Sequence, residues 1–344
     1  NSPSYHKYDV TDYKSINPEY GTIDEFKKFV DEAHSRNIKV VVDLILNHTG
    51  SDHPWFQSAI KGKDSPYRDY YVWAKKDSIR EQIAKKNTSF DSDNITQWHA
   101  VNGDTLSEHF YGFFYSGMPD LNFDNQKVRD EFKDIGKFWL KDLNVDGFRL
   151  DAAKHIYPDD RAEDNHAFWI EFRKEMEMIK PDVYLVGEVW SSAKVVAPYL
   201  KGLPALFNFD MGYAITNVVN AGKDTIGLIS KYKEISDFYK TVTSDYLDAT
   251  FLRNHDQNRI LSDLGNDPMK ARVAAGILLT LPGTPYLYYG EEIGMLGTKP
   301  DEFIREPFLW DIGNTDATQT TWEIPKFSTD RSVVPLHDQK VNEN

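Results

Sequence analysis

The chain has 344 residues, 40% of them hydrophobic, enough for a large core and suited to one big α/β domain with an insertion, or to two domains. A net charge of −14 argues against nucleic acid and anionic membrane as partners. The absence of cysteine excludes disulfides and thiolate metal sites, and no apolar run is long enough for a membrane-spanning helix.

Asn1 opens the chain without Met or a signal peptide, which reads as a processed product or a fragment. Tyr5 to Tyr13 is a polar-aromatic loop, followed by a turn at Asn17-Pro18-Glu19-Tyr20-Gly21. Thr22 to Arg36 has helical spacing, with Phe26, Phe29, Val30 and Ala33 on one face and a capping box of Thr22 with Glu25. Ile38 to Leu46 is nearly all apolar, as a strand buried on both faces requires, with Lys39 at its start and a single carboxylate inside, Asp43. It ends at Asn47-His48. His53 to Gly117 has little periodicity and is too long for an ordinary connection, so it reads as an irregular inserted domain. Met118-Pro119-Asp120-Leu121-Asn122 closes it, and helical periodicity returns over Val128 to Leu143.

The stretch Val145 to His155 holds the rest together. Phe148 and Leu150 alternate with Arg149 and Asp151, so the polar residues share one face of a short strand. A helix over His166 to Ile179 follows, then a strand over Val183 to Glu188 and a short one over Pro204 to Asp210. Ala249 to Asn254 is a strand running into His255-Asp256. Met269 to Leu281 is a helix stopped by Pro282-Gly283. Tyr286 to Gly290 is a last strand, and from Gly313 the tail reads as loop. Six strands with helices between them, several with charges at their C-terminal ends, predict a (β/α)₈ TIM barrel. A full barrel needs about two more strands, which places the first strands upstream of Asn1.

Three carboxylates stand at separate strand ends: Asp151, Glu188 and Asp256. One of them beside Arg149 is explicable as a structural ion pair; three together are not. Two carboxyl groups about 5–5.5 Å apart across a glycosidic bond give retaining hydrolysis by double displacement. Asp151, fixed by Arg149, suits the nucleophile, and Glu188, in a more apolar setting, suits the acid and then the base. Asp256 suits binding of sugar hydroxyls and charge stabilisation, and His48 and His255 suit hydrogen bonding to hydroxyls.

The runs Asp43-Leu44-Ile45-Leu46-Asn47-His48, Gly147-Phe148-Arg149-Leu150-Asp151-Ala152-Ala153-Lys154-His155, Glu188-Val189-Trp190 and Phe251-Leu252-Arg253-Asn254-His255-Asp256 resemble the four signature regions of the α-amylase family of glycoside hydrolases, in order and with suitable spacing. Met118 to Asn122 resembles a further region at the end of the inserted domain B. The resemblance covers nearly the whole chain. It implies domain B inserted after the third barrel strand at 49–117, with barrel segments at 1–48 and 118–344, and with the first strands and the C-terminal β-sandwich lying outside the chain. It implies Asp151 as nucleophile, Glu188 as acid/base and Asp256 as transition-state stabiliser. Arg149, His48 and His255 would surround the sugar, with Tyr8 stacked beneath it and His6 nearby.

Lys154-His155 resembles the α-amylase pattern on the leaving side of the glucan, and Asp301 and Arg305 resemble residues binding glucose further toward the non-reducing end. Lys154 to Tyr157 and Pro198 to Phe207 resemble starch-utilisation amylases of gut Bacteroidetes. The implied activity is endo-hydrolysis of α-1,4-glucosidic bonds in starch and malto-oligosaccharides. An exo-acting α-glucosidase or oligo-1,6-glucosidase is the alternative, and a non-catalytic glycan-binding module the other class. The resemblance also implies calcium, with Asn47, Asp120 and the His155 main-chain oxygen as matching ligands. It implies a monomer acting outside the cell or at its surface.

Overall fold

The computed structural model describes residues 1–81, 97–101, 108–311, 313, 316–329 and 331–341. It divides into two units, one of residues 1–189 with 201–204 and the other of residues 190–200 with 205–344.

In the first unit the helix Ile23–Ser35 begins at the predicted capping box: Thr22 accepts from the Glu25 amide, and Glu25 reaches back to the Thr22 amide. Strand β1 (Val41–Leu44) follows. The inserted segment carries β2 (Trp73–Ala74), β3 (Trp98–Ala100) and β4 (His109–Tyr111), which form a small antiparallel sheet in the order β2-β4-β3. The remainder of the expected insertion includes residues outside those described. The helix Gln126–Lys137 then runs into a π-helical turn, Phe138–Asp142. Strand β5 (Gly147–Leu150), the helix Ala162–Ile179 and strand β6 (Tyr184–Gly187) complete the unit. β5 pairs in parallel with β1 on one side and β6 on the other. Gly147 is required here: a Cβ on it would lie 1.9 Å from the Tyr184 carbonyl oxygen, so β5 and β6 could not keep their approach with any side chain at 147.

β1 departs from the expected burial on both faces. Val41 is 39% exposed, and Phe29, predicted on the buried helix face, is 57% exposed. Among the described residues β1 is paired only with β5, so it is an edge strand.

The second unit repeats the parallel plan with β7 (Ala205–Phe207), β8 (Leu247–Phe251) and β9 (Thr284–Tyr286), β8 in the middle. β9 ends where its ladder with β8 ends, at Tyr286, so Leu287 to Gly290 lie beyond the strand. Two helices that the sequence pattern did not predict, Phe209–Ala221 and Leu228–Lys240, separate β7 from β8, and the helix Pro268–Thr280 separates β8 from β9. Parallel strands with intervening helices and an antiparallel insertion are the architecture of an incomplete (β/α)₈ barrel.

Candidate active site

In the first unit the polar face of β5 meets the ends of β1 and β6. Register sets Arg149 opposite Asp43 on β1 and Val186 on β6. The half-buried Arg149 guanidinium donates through Nη1 to Asp151 and, at 2.9 Å, to Asp43 Oδ1, and through Nη2 to Glu188 Oε1 at 2.9 Å. Burial disfavours its charge, but Asp43, Glu188, Tyr8 and Asp151 together hold it well above the ordinary arginine range. Asp151 and Glu188 are both buried. The apolar setting expected for Glu188 is therefore absent: it faces Arg149, and the Ala152 amide donates to its Oε2 at 3.3 Å. Ala152 makes that contact from a left-handed conformation, φ 47°, unusual for a residue with a side chain.

The turn after Asp151 is braced from beneath. Trp169, on the helix Ala162–Ile179, donates its indole N–H to the Ala153 carbonyl at 2.7 Å. Asn165, fully buried on the same helix, accepts from the Tyr157 amide and donates to the Lys154 and Tyr157 carbonyls. Lys154 faces Asp159 at 4.0 Å. The His155 ring stacks on Phe113 of the inserted segment, ring centres 4.0 Å apart, and Phe114 meets both His155 and His48 edge-on.

Tyr8 donates its hydroxyl to Asp43 Oδ2 at 2.9 Å, and His6 stacks on its ring. His48 is buried, and burial pushes its imidazole down to about 4, so it is neutral at physiological pH. Its Nε2 donates to the Tyr8 carbonyl at 3.1 Å while Nδ1 accepts from the Asn47 amide at 3.2 Å. Both ring nitrogens are thus engaged by the protein, which makes His48 a support beneath Tyr8.

Asn47 and Asp120 are brought together by short main-chain pairing: Leu121 donates to the Asn47 carbonyl at 2.9 Å, and His48 is bridged to Asp120. Asn47 Oδ1 is buried with no hydrogen-bond partner. Burial raises the Asp120 carboxyl to about 8, against the Phe113 amide and the Asn47 side chain, which pull it down. Among the described residues no three His, Cys, Asp or Glu side chains cluster as a metal site. A cation here would therefore draw on amide and main-chain oxygens. An orphaned amide oxygen beside a carboxyl short of charge partners is a hard-oxygen donor set, which fits calcium and not a soft metal.

In the second unit the end of β8 presents Asp256. Arg305 donates through Nη2 to Asp256 Oδ1 at 2.7 Å and to Asp301 Oδ2 at 3.1 Å, and through Nε to the His255 carbonyl at 2.8 Å. His255 Nε2 lies 3.3 Å from Asp256 Oδ2. The Asp301–Arg305 pair is thus more than an exposed helix-surface contact: it braces the β8 carboxylate.

Each unit accordingly assembles predicted site residues that are distant in sequence: Tyr8, His6, His48, Arg149, Asp151 and Glu188 in the first, His255, Asp256, Asp301 and Arg305 in the second. Asp43 had no role among the predicted site residues, although its signal was present as the single carboxylate of an apolar strand. Acids at the ends of parallel strands in a β/α fold are placed where barrel enzymes carry their catalytic groups.

The chain belongs to the α-amylase family: the family described as "Alpha amylase, catalytic domain" matches residues 1–340. Alpha-amylase 3 of Dictyoglomus thermophilum is 46% identical over 343 residues, covering 100% of this chain and 64% of the relative. The chain thus spans under two thirds of that relative's length. The 4-alpha-glucanotransferase of Thermotoga maritima is 36% identical, covering 98% of this chain and 72% of the relative. A crystal structure of alpha-amylase from H. orenii matches with a TM-score of 0.89 at 46% identity, covering 100% of this chain and 67% of that one. No helix among the described residues is long and apolar enough to cross a membrane.

Proposed function

We propose that the protein is a retaining, endo-acting α-1,4-glucan hydrolase of starch and malto-oligosaccharides. The observation that carries this is the single Arg149 guanidinium gripped by both Asp151 and Glu188. A shared guanidinium keeps both carboxylates within reach of one glycosidic linkage, as a nucleophile and an acid/base acting on the same bond require.

In this reading Asp151, held ionised by Arg149, attacks the anomeric carbon, and Glu188, kept in its acid form by repulsion between two carboxylates that share a single cation, delivers a proton to the departing glycosidic oxygen. The covalent glycosyl-enzyme forms as that bond breaks. Glu188, now ionised, takes a proton from water, which displaces Asp151 and returns the α anomer. Asp256, braced by Arg305, binds sugar hydroxyls and offsets the positive charge of the oxocarbenium-like transition state. Tyr8, held by Asp43 and His48, offers a ring to the sugar face; His6 and His255 flank the sugar. Lys154 and His155 serve the leaving side, and Asp301 and Arg305 the non-reducing side.

Calcium, held by Asn47, Asp120 and the His155 main-chain oxygen, would supply positive charge that neutralises Asp120 and ties the closing segment of the insertion to the end of β1. The polymer substrate favours action outside the cell or at its surface.

A product profile of the full-length protein on amylose, pullulan and maltotriose tests the reading. Maltose and longer α-anomeric products are expected. Glucose alone would indicate an exo-acting α-glucosidase. Elongated products without net new reducing ends would indicate a transferase, the activity named for the Thermotoga relative. Binding without turnover would leave the glycan-binding module.

A further inference from the structure

We propose that Asp43 is a positioning residue for this reaction, one that sets the Arg149 guanidinium and the Tyr8 hydroxyl together. The proposal rests on the reading of Asp151 and Glu188 given above.

Asp43 and Arg149 are register partners on adjacent parallel strands. Asp43 offers a different oxygen to each of two partners. Its Oδ1 accepts from Arg149 Nη1 at 2.9 Å, and its Oδ2 accepts from the Tyr8 hydroxyl at 2.9 Å. An ion pair of purely structural use needs only the first contact. The guanidinium is divided among three carboxylates, of which Asp151 and Glu188 carry the proposed chemistry and Asp43 does not. Of the groups that offset the burial of Arg149, Asp43 is the strongest, ahead of Glu188, Tyr8 and Asp151. Asp43 therefore ties the guanidinium to β1 while the same group reaches Asp151 and Glu188. It also fixes the ring whose backbone carbonyl His48 holds from the other side.

The charged and titratable groups around this cluster are Tyr8 and His6 on the N-terminal loop, His48 past the end of β1, Arg149 and Asp151 on β5 and Glu188 after β6. Lys7, Asp12 and Glu25 line the cavity that Asp43 also lines. The Asp43 charge repels the ionised forms of Asp151 and Glu188. Removing that charge, and leaving Arg149 to those two carboxylates alone, both favour ionisation at lower pH.

The test is the pH dependence of kcat/KM on a maltooligosaccharide for the full-length protein and its Asp43→Asn, Asp43→Glu and Asp43→Ala variants. Asp43→Asn keeps an acceptor for Tyr8 and removes the charge. It is expected to lower kcat/KM about 10- to 100-fold, mainly in kcat, and to move both limbs of the profile to lower pH by on the order of half a unit. Asp43→Glu restores the limb positions, and Asp43→Ala adds a rise in KM as Tyr8 loses its acceptor. Tyr8→Phe, which removes only a hydroxyl, is expected to be non-additive with Asp43→Asn, and this cycle carries the test if Asp43→Ala does not fold. An active wild type whose Asn variant keeps both limbs, or additivity with Tyr8→Phe, overturns the proposal alone. A wild type inactive on every α-glucan overturns the functional reading and the proposal with it.

Discussion

Strand β5 has a carboxylate beyond each end, and the two are treated differently. Asp146, before the strand, is saturated with partners: His34 at 2.7 Å, Lys39 at 3.0 Å, Lys180 at 3.4 Å and the Val40 amide at 2.8 Å. Burial works against its charge, but the Val40 amide, His34, Lys39 and Lys180 hold its carboxyl well below the usual range. Asp151, after the strand, has Arg149, a cation it must share with Glu188 and Asp43. A carboxylate whose partners are its own joins elements together; one whose partner is shared can trade that contact for a substrate. The contrast matches the division in barrels between a stabilising N-terminal face and a reactive C-terminal face.

The largest effect expected is at Asp151. Asp151→Asn should lower kcat on a maltooligosaccharide by at least about a thousandfold while leaving the melting temperature nearly unchanged; equal losses of both would erase the distinction between the two ends. Asp146→Asn should do the reverse, costing about 2 kcal/mol of stability by denaturant titration with kcat per folded molecule retained. The sign with pH follows from the depressed carboxyl. Its contribution is complete above the unfolded-state value, near 3.8, and is lost as pH falls below that toward the folded-state value. Wild type should therefore lose more stability in acid than Asp146→Asn.

Asp120 has the opposite sign and sharpens the contrast. Its carboxyl is raised from 3.8 to about 8, so without a cation the folded state is penalised progressively as pH rises through that interval. Added calcium should raise the melting temperature most at the upper end of the interval, and Asn47→Ala should blunt the effect; a calcium response independent of both pH and Asn47 would remove these residues as ligands. The smallest effect belongs to the cap at Thr22. Thr22→Ala should cost about 1 kcal/mol with no change in kcat, which separates general loosening of the first unit from damage to its reactive end.

The strand ends were legible because each is written in a few consecutive residues: the alternation around Arg149 and Asp151, the apolar run into Glu188, and Asn254-His255-Asp256. The cap of the first helix was equally local, needing only Thr22 and Glu25. What escaped the sequence depends on register or distance. Nothing in the spacing of Asp43 says that it pairs across a strand with Arg149, and Arg305 reaches Asp256 across 49 residues. The helix Phe209–Ala221 buries a broad arc that includes Phe209, Met211, Ala214, Ile215, Val218 and Val219, and its exposed strip carries Tyr213 and Ala221 beside Asn217 and Asn220, which blurs the polar face that marks a surface helix. The apolar surroundings expected for Glu188 failed for a related reason, since the guanidinium beside it comes from another strand.

The left-handed Ala152 has a practical consequence for anyone engineering this protein for heat tolerance. Holding an alanine there costs on the order of 1–2 kcal/mol, a strain glycine would not carry. Yet that same kink aims the amide at the Glu188 carboxylate. Substituting Ala152→Gly would relax the bend and free the turn to wander, so a gain in melting temperature at this position would come with a looser grip on the group that moves the proton.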